Sequence, residues 1–154
     1  MKIEKALESD LPKIMLIIGK EFPYVERSLE KTINAIKEEK ITIFKAVEGN
    51  KFIGFIEAQF LEEGIARING VSVEEDSRGQ GIGKTLLQYT IKFLKEKGIE
   101  RILLLVKQSN EKAKSLYREM GFGFIGLYHR KLDNEIIEEM ELDLGNRDKP
   151  AYVS

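Results

Sequence analysis

Between Ser77 and Leu87 the chain reads SRGQGIGKTLL. Arg78 and Lys84 bracket three alternating glycines, Gly79, Gly81 and Gly83, and an apolar pattern at helical spacing follows through Ile82, Leu86, Leu87, Ile91 and Leu94. A plain turn from strand to helix needs one glycine; each further one costs up to about 1 kcal/mol of backbone entropy relative to alanine. Alternating glycines let successive N–H groups converge on an anion with no Cβ in the way. The helix that starts here adds its unsatisfied N–H groups and the positive end of its dipole. The chemistry that suits Arg78, Gly79, Gln80, Gly81, Ile82, Gly83 and Lys84 is backbone binding of a diphosphate.

The spacing restricts which diphosphate. Gly83-Lys84-Thr85 could end a P-loop, but Gly-x-x-x-x-Gly-Lys-Ser/Thr requires glycine at 78, where Arg78 stands. The later apolar stretch RILLLVKQSN also supplies no aspartate for magnesium. The dinucleotide fingerprint requires glycine or alanine where Lys84 stands, and an acidic residue at the end of the next strand; Glu100 lies before that strand.

Composition removes other chemistries. There is no cysteine, which excludes disulfides, thiolate metal sites and cysteine nucleophiles, and the lone histidine, His129, argues against a Ser-His triad or a multi-histidine metal site. No metal is expected. Net charge is −1, so no global field favours nucleic acid or an anionic membrane, and neither is expected as a partner. No run approaches the roughly 18 apolar residues of a membrane span, and the N-terminal MKIEKALESDL has no apolar signal core. The expectation is a soluble, cytoplasmic protein. A homodimer through the C-terminal strands is left open by composition.

The elements that must position the loop follow from periodicity. A strand is predicted at Lys2–Leu7, then a helix capped by Ser9 or Asp10, with Pro12 near its first turn and Leu11, Ile14, Met15 and Ile18 on one face. Pro23 interrupts. A second helix is predicted from Glu26 to Lys40, with Leu29, Ile33 and Ile36 on one face. Strands at Ile41–Glu48, Lys51–Phe60 and Ile65–Val73, separated by Gly49-Asn50 and Gly64, read as an antiparallel meander. The helix after the loop ends at Gly98, and the apolar run Arg101–Lys107 reads as a strand buried on both faces. Strand, helix and buried strand make a right-handed crossover between parallel strands. A short helix with Ala113, Leu116, Tyr117 and Met120 on one face stops at Gly121, and two last strands, about Phe122–Leu132 and Glu135–Leu144, surround a turn at Asp-Asn-Glu. The predicted fold is an α+β domain over residues 1–145, with a mixed, mostly antiparallel sheet, one parallel β-α-β unit and helices on both faces. Residues 146–154 read as a polar tail.

At this point the chain resembles the GNAT family of N-acetyltransferases. Arg78, Gly81 and Gly83 match its acetyl-CoA loop, Gln/Arg-x-x-Gly-x-Gly/Ala. The downstream NEKAKSLYREMGF matches its second motif at Asn110, Ala113, Leu116, Tyr117, Gly121 and Phe122. The two motifs stand in the expected order and context, and together cover Ile65 to Phe122. The resemblance implies acetyl-CoA as co-substrate and transfer of its acetyl group to a primary amine by direct attack in a ternary complex. It implies that the Arg78–Lys84 amides hold the CoA diphosphate and that two parallel strands splay apart around pantetheine. Val71, Ser72 and Val73 would then lie along it, with an amide near Val73 polarising the thioester carbonyl. Asn110 would bind pantetheine or cap its helix. Tyr117 would protonate the departing thiolate, which a phenol of reference pKa about 10 can do for a thiol of about 8.5. On the residues alone, Tyr117 reads rather as a core aromatic on the apolar helix face.

The family's strand glutamate, a frequent general base, is missing: Arg67 and Leu105 stand at the corresponding positions. Glu57 is one candidate, against the plainer reading of a solvated strand carboxylate. Asn69 could orient a water on the acceptor side, or be a polar residue on an open sheet face. His129 with Tyr128 could line the acceptor site, or lie exposed on a strand. Glu138, Glu139, Glu141 and Asp143 read as the polar positions of the last strand. The acceptor, protein or small molecule, is unmarked: GKEFPYVERSLEK and FIGLYHRKLDNEII carry no readable motif, and the hairpin lacks the paired tyrosines of many N-terminal acetyltransferases. Two rival readings follow, a non-catalytic acetyl-CoA-binding or regulatory module and, from Gly83-Lys84-Thr85, a P-loop phosphotransferase.

Overall fold

The computed structural model describes residues 1–22 and 25–145. Pro23 and the expected polar tail at 146–154 lie outside the described residues. The elements are β1 (Lys2–Lys5), α1 (Leu11–Glu21), α2 (Leu29–Lys37), β2 (Ile41–Glu48), β3 (Lys51–Glu62), β4 (Ile65–Val73), α3 (Ile82–Glu96), β5 (Arg101–Lys107), α4 (Glu111–Glu119), β6 (Gly123–Leu127) and β7 (Ile137–Asp143). They form a seven-stranded sheet in the order β1-β2-β3-β4-β5-β7-β6. Every neighbouring pair is antiparallel except β4 and β5, which run parallel across the α3 crossover.

The sheet separates the two larger of three apolar clusters among the described residues. On one face Leu86, Leu87 and Leu94 of α3 pack with Phe44, Ile56, Ile68, Ile102 and Leu104, joined by Ala113, Leu116 and Tyr117 of α4. On the other, Leu11, Ile14 and Ile18 of α1 and the partly buried Ile33 and Ile36 of α2 cover Ile41, Ile43 and Phe55. Apolar residues at helical spacing thus settle which face each helix turns inward. Among the described residues no helix is long and apolar enough to cross a membrane.

Several boundaries differ from the periodic reading. Asp10 stands at the N-cap position of α1, yet its carboxylate accepts from the Leu7 amide (2.7 Å) and pairs with the buried Lys45 (2.8 Å). α2 is shorter than predicted. Ser28 caps it by accepting from the Lys31 amide, and Glu39 stops it in the left-handed conformation at φ +58°. Leu29 is exposed, and Thr32 is the buried residue of that helix. The last hairpin is also shorter: β6 ends at Leu127, and beyond it Leu132 and Glu135 meet in an isolated bridge around Asp133 and Asn134, both at positive φ. His129 therefore sits in a bend rather than on a strand.

The departure that matters for function lies in β4. Its ladder with β3 pairs Glu57 with Gly70 but Ala58 with Ile68, so Asn69 is the extra residue of a bulge. Such a bulge bends its strand and sharpens the twist. Parallel pairing with β5 stops at the same place: it runs from Ile65 opposite Arg101 to Ile68 opposite Leu104. β5 continues to Lys107 paired with β7 alone, and β4 continues to Val73 paired with β3 alone. The two strands splay from that point.

Candidate functional site

The glycine loop leaves a short 3-10 turn at Glu75–Ser77 and enters α3 at Ile82. Gly79 and Gly81 both lie at φ +78°, where only glycine is unstrained. A Cβ built at either would meet no atom of the chain within 4 Å, so the space above the loop is open to a ligand. The first amide bonded within the helix is that of Thr85, donating to the Gly81 carbonyl (3.0 Å). The amides of Ile82, Gly83 and Lys84 precede it, in the turn where a helix leaves its N–H groups without an internal partner. This cradle suits the diphosphate of acetyl-CoA. The basic side chains do not reach over it. Arg78 Nε donates to the Val73 carbonyl (2.9 Å), fastening the loop to the end of β4, and Lys84 pairs with Glu119 of α4 (2.6 Å). The amides and the helix dipole, rather than these two charges, face the open space.

Two chambers fill the splay. A loop chamber of about 560 Å³ is lined by Val71, Ser72, Val73, Arg78 and the glycines. An inner chamber of about 380 Å³ lies between Asn69 and Gly70 on one side and Leu105 and Lys107 on the other. Glu21, Val71, Asn110, Ala113 and Tyr117 line both.

Tyr117 projects from α4. Asn110 caps that helix by accepting from the Ala113 amide (3.1 Å), and the Tyr117 ring meets Phe122 edge-on at 6.0 Å. Burial pushes the Tyr117 phenol up to about 12. The low polarity that disfavours phenolate leaves it a proton carrier throughout the neutral range.

Glu57 and Asn69 stand elsewhere than a solvated sheet face. Glu57 is 1% and Asn69 2% exposed. Both Glu57 carboxylate oxygens accept from the Arg27 guanidinium, one at 3.1 Å, and Oε2 also accepts from Asn69 Nδ2. Asn69 Nδ2 further donates to Gln59 (3.1 Å) and its Oδ1 accepts from Arg67 Nε (2.9 Å), while Arg27 Nε reaches Thr32 (3.1 Å). The result is a buried polar network that ties the segment before α2 to the middle of the sheet. Asn69 lines the inner chamber and Glu57 lines neither. His129 lines neither chamber; its ring packs on Tyr128 at 4.3 Å.

The end of α1 brings residues that carried no signal in the sequence. Glu21 Oε2 accepts from Ser72 Oγ (2.9 Å), and Phe22 packs on Gly70. Lys20, Glu21, Phe22 and Lys107 all line the inner chamber. Nothing local distinguishes Glu21 from the other charged residues on helix surfaces; only the docking of α1 against β4 gives it a place.

The sequence matches the acetyltransferase (GNAT) family over residues 8–122. A [ribosomal protein bS18]-alanine N-acetyltransferase of Escherichia coli is 30% identical over 93 residues, which is 60% of this chain and 62% of that protein. Its counterpart from Haemophilus influenzae is 34% identical over 97 residues, 62% of this chain and 64% of that one. The match thus spans less than two thirds of the length of these curated relatives. Among solved structures, the ribosomal-protein-S18-alanine N-acetyltransferase from Escherichia coli superposes with a TM-score of 0.78 at 24% identity over 99% of both chains. The paia N-acetyltransferase from Thermoplasma acidophilum, solved in complex with coenzyme A, superposes at 0.71 and 23% identity, covering 93% of this chain and 99% of that one. At these identities the likeness speaks to the fold.

Proposed function

Because the chain belongs to the acetyltransferase (GNAT) family, we propose that it transfers the acetyl group of acetyl-CoA to a primary amine in the cytoplasm. The observation that carries this reading is the splay of β4 from β5 beyond Ile68 and Leu104, which opens a cleft from the glycine loop to Tyr117. Acetyl-CoA supplies the acetyl group as a thioester, already activated toward an amine. The Arg78–Lys84 amides bind its diphosphate at the start of α3. The β4 edge that no longer pairs with β5, Val71 to Val73, offers its backbone groups to the pantetheine arm, and an amide near Val73 polarises the thioester carbonyl. Tyr117, protonated at neutral pH, gives its proton to the departing sulfur.

The acceptor enters from the inner chamber. The matched relatives carry the name of an alanine N-acetyltransferase of a ribosomal protein, so a peptide α-amine is the first acceptor to test. Its reference pKa of about 8 leaves more free base at neutral pH than a lysine amine at about 10.4. Glu57, held by Arg27 and Asn69, serves as an anchor for the network rather than as the proton acceptor, and Asn69 orients groups in the inner chamber.

The test is calorimetric titration with acetyl-CoA, with Mg-ATP as control, followed by mass-spectrometric assay of an alanine-terminated peptide, an internal-lysine peptide and spermidine. Saturable acetyl-CoA binding with acetylation of at least one amine is expected. Binding without transfer to any of them would leave the rival binding module, which the missing strand glutamate favours, and ATP binding alone would overturn the family chemistry.

A further inference from the structure

We propose that Glu21 is the acceptor-amine residue: its carboxylate holds the incoming ammonium where the two chambers meet and takes its proton. This rests on the acetyltransferase reading above. Among the described residues lining either chamber, Glu21 is the single carboxylate, and of the described residues lining both chambers only Glu21 and Tyr117 carry an acidic side-chain group. The two groups a transfer requires, one to accept a proton from nitrogen and one to donate a proton to sulfur, thus come from α1 and α4 on the walls of one cleft.

The carboxylate is positioned rather than loose. Glu21 is the last residue of α1, and its Oε2 accepts from Ser72 Oγ at 2.9 Å. The next residue, Phe22, packs directly on Gly70. Two successive side chains therefore fix the end of α1 against the stretch of β4 that has left β5. Oε1 of Glu21 has no hydrogen-bond partner among the described residues. Glu57, the other carboxylate near the chamber, has both oxygens taken by Arg27 and Asn69.

The surrounding charge defines the acceptor. Lys20 and Lys107 line the inner chamber, and Lys107 is paired with Glu135 at 3.1 Å. Arg78, Lys84 and Lys112 line the loop chamber, and Ser72 is the polar group that β4 turns to Glu21. Lys84 is held by Glu119 and Arg78 by the Val73 carbonyl, so the one carboxylate, with Lys20 beside it in the inner chamber, suits an acceptor with one ammonium and a neutral or acidic flank. A polyamine would set a further charge against Lys20.

The step balances as follows. An N–H proton of the ammonium passes to the Glu21 carboxylate, directly or through one water, and from there to solvent. The freed nitrogen lone pair forms the C–N bond at the acetyl carbonyl carbon while the C–S bond breaks. Tyr117 protonates the sulfur and is restored by the second nitrogen proton through solvent. One amide, one CoA thiol and one solvent proton result.

The test compares wild type, Glu21→Gln and Glu21→Asp. First, an alanine-terminated peptide amide is titrated into the CoA-saturated protein; then kcat and KM are measured from pH 6.5 to 10. A hydrogen bond to a charged group predicts that Glu21→Gln weakens peptide binding and raises KM about tenfold to a hundredfold. Affinity for acetyl-CoA stays at the wild-type value, which also reports an intact fold. The lost rate returns as pH rises and free amine replaces ammonium, with Glu21→Asp intermediate. Unchanged peptide affinity and unchanged kcat/KM at neutral pH in Glu21→Gln would overturn the assignment and leave the acetyltransferase reading standing. Should wild type bind the peptide without acetylating it, that reading fails, and the binding comparison still decides Glu21. A CoA complex that binds no peptide at all overturns the assignment.

Discussion

Phe22 fills the space a side chain on Gly70 would need: a Cβ there would lie 2.6 to 2.7 Å from three atoms of its ring. This contact sets α1 against β4 beside the Asn69 bulge and just beyond the last pair with β5. Gly70→Ala must displace the ring, and overpacking of this kind costs about 1–3 kcal/mol. The expected result is a lower urea midpoint with unchanged slope, a raised KM for the amine and an unchanged affinity for acetyl-CoA. An affinity loss for acetyl-CoA equal to that for the amine would show that the contact does not act on the inner chamber.

Arg27 and Glu57 form a well-enclosed ion pair near the site, with side-chain exposures of 15% and 1%. Removing one partner of a buried pair leaves an uncompensated charge, typically a loss of about 3–5 kcal/mol. Arg27→Met should therefore destabilise strongly, and Arg27→Met/Glu57→Gln should lose clearly less than the sum of the single changes. A double-mutant cycle by chemical denaturation measures the coupling; additive losses would mean that the pair is not coupled in solution.

Tyr117 connects stability and rate through one proton. Its folded value of about 12 lies above the model value of 10.0, so the folded state holds the proton more tightly than the unfolded chain. The stabilising contribution is complete below about pH 10 and is lost as pH rises toward about 12. Tyr117→Phe should remove that alkaline decline. The same variant should lower kcat about a hundredfold or more while leaving acetyl-CoA affinity unchanged. In wild type, kcat should show no descending limb from Tyr117 below pH 10. Such a limb, abolished in the phenylalanine variant, would contradict the burial of the phenol.

Gly81 carries the positive φ that admits the chain into α3, and its missing Cβ faces open space. Gly81→Glu introduces both strain and negative charge beside the anion cradle. Calorimetry should detect no acetyl-CoA binding to this variant while circular dichroism stays native-like. Wild-type affinity would remove the loop from the site.

What the sequence disclosed follows the range of each interaction. The glycine loop, its helix and the Asn110-to-Tyr117 motif are local patterns, and the residue types themselves carry the requirement. The parallel pair was equally legible, because a buried apolar run after a helix has few alternatives. The Asn69 bulge was not, since a bulge is a property of register between two strands and Asn69 alone does not state its partner. Glu57 read as solvated because its guanidinium comes from Arg27, thirty positions away. Glu21 was silent for the same reason: Ser72 lies 51 positions downstream. The early end of β6, which moves His129 off a strand, depends on pairing with β7 rather than on local propensity.

The overrun of α2 in the periodic reading has a local cause that can be tested. Among the described residues, three helices end in the same backbone motif. Ile99 donates to Leu94 and Gly98 to Lys95; Phe122 donates to Tyr117 and Gly121 to Arg118; Lys40 donates to Ala35 and Glu39 to Ile36. The left-handed residue is glycine in the first two, at φ +85° and +100°, and Glu39 at φ +58° in the third. A side chain in that region crowds its own backbone at about 1–2 kcal/mol, which glycine avoids at the price of a more flexible unfolded chain. Glu39→Gly should therefore stabilise the protein by about 0.5–1 kcal/mol, a rise in Tm of about 1–4 °C for a chain of this size. Gly98→Ala should lose about 1 kcal/mol at the equivalent position of α3. Because Glu39 lines neither chamber, acetyl-CoA affinity should be unchanged in Glu39→Gly. A lower Tm for that variant would mean that the Glu39 side chain contributes more in place than its backbone strain removes.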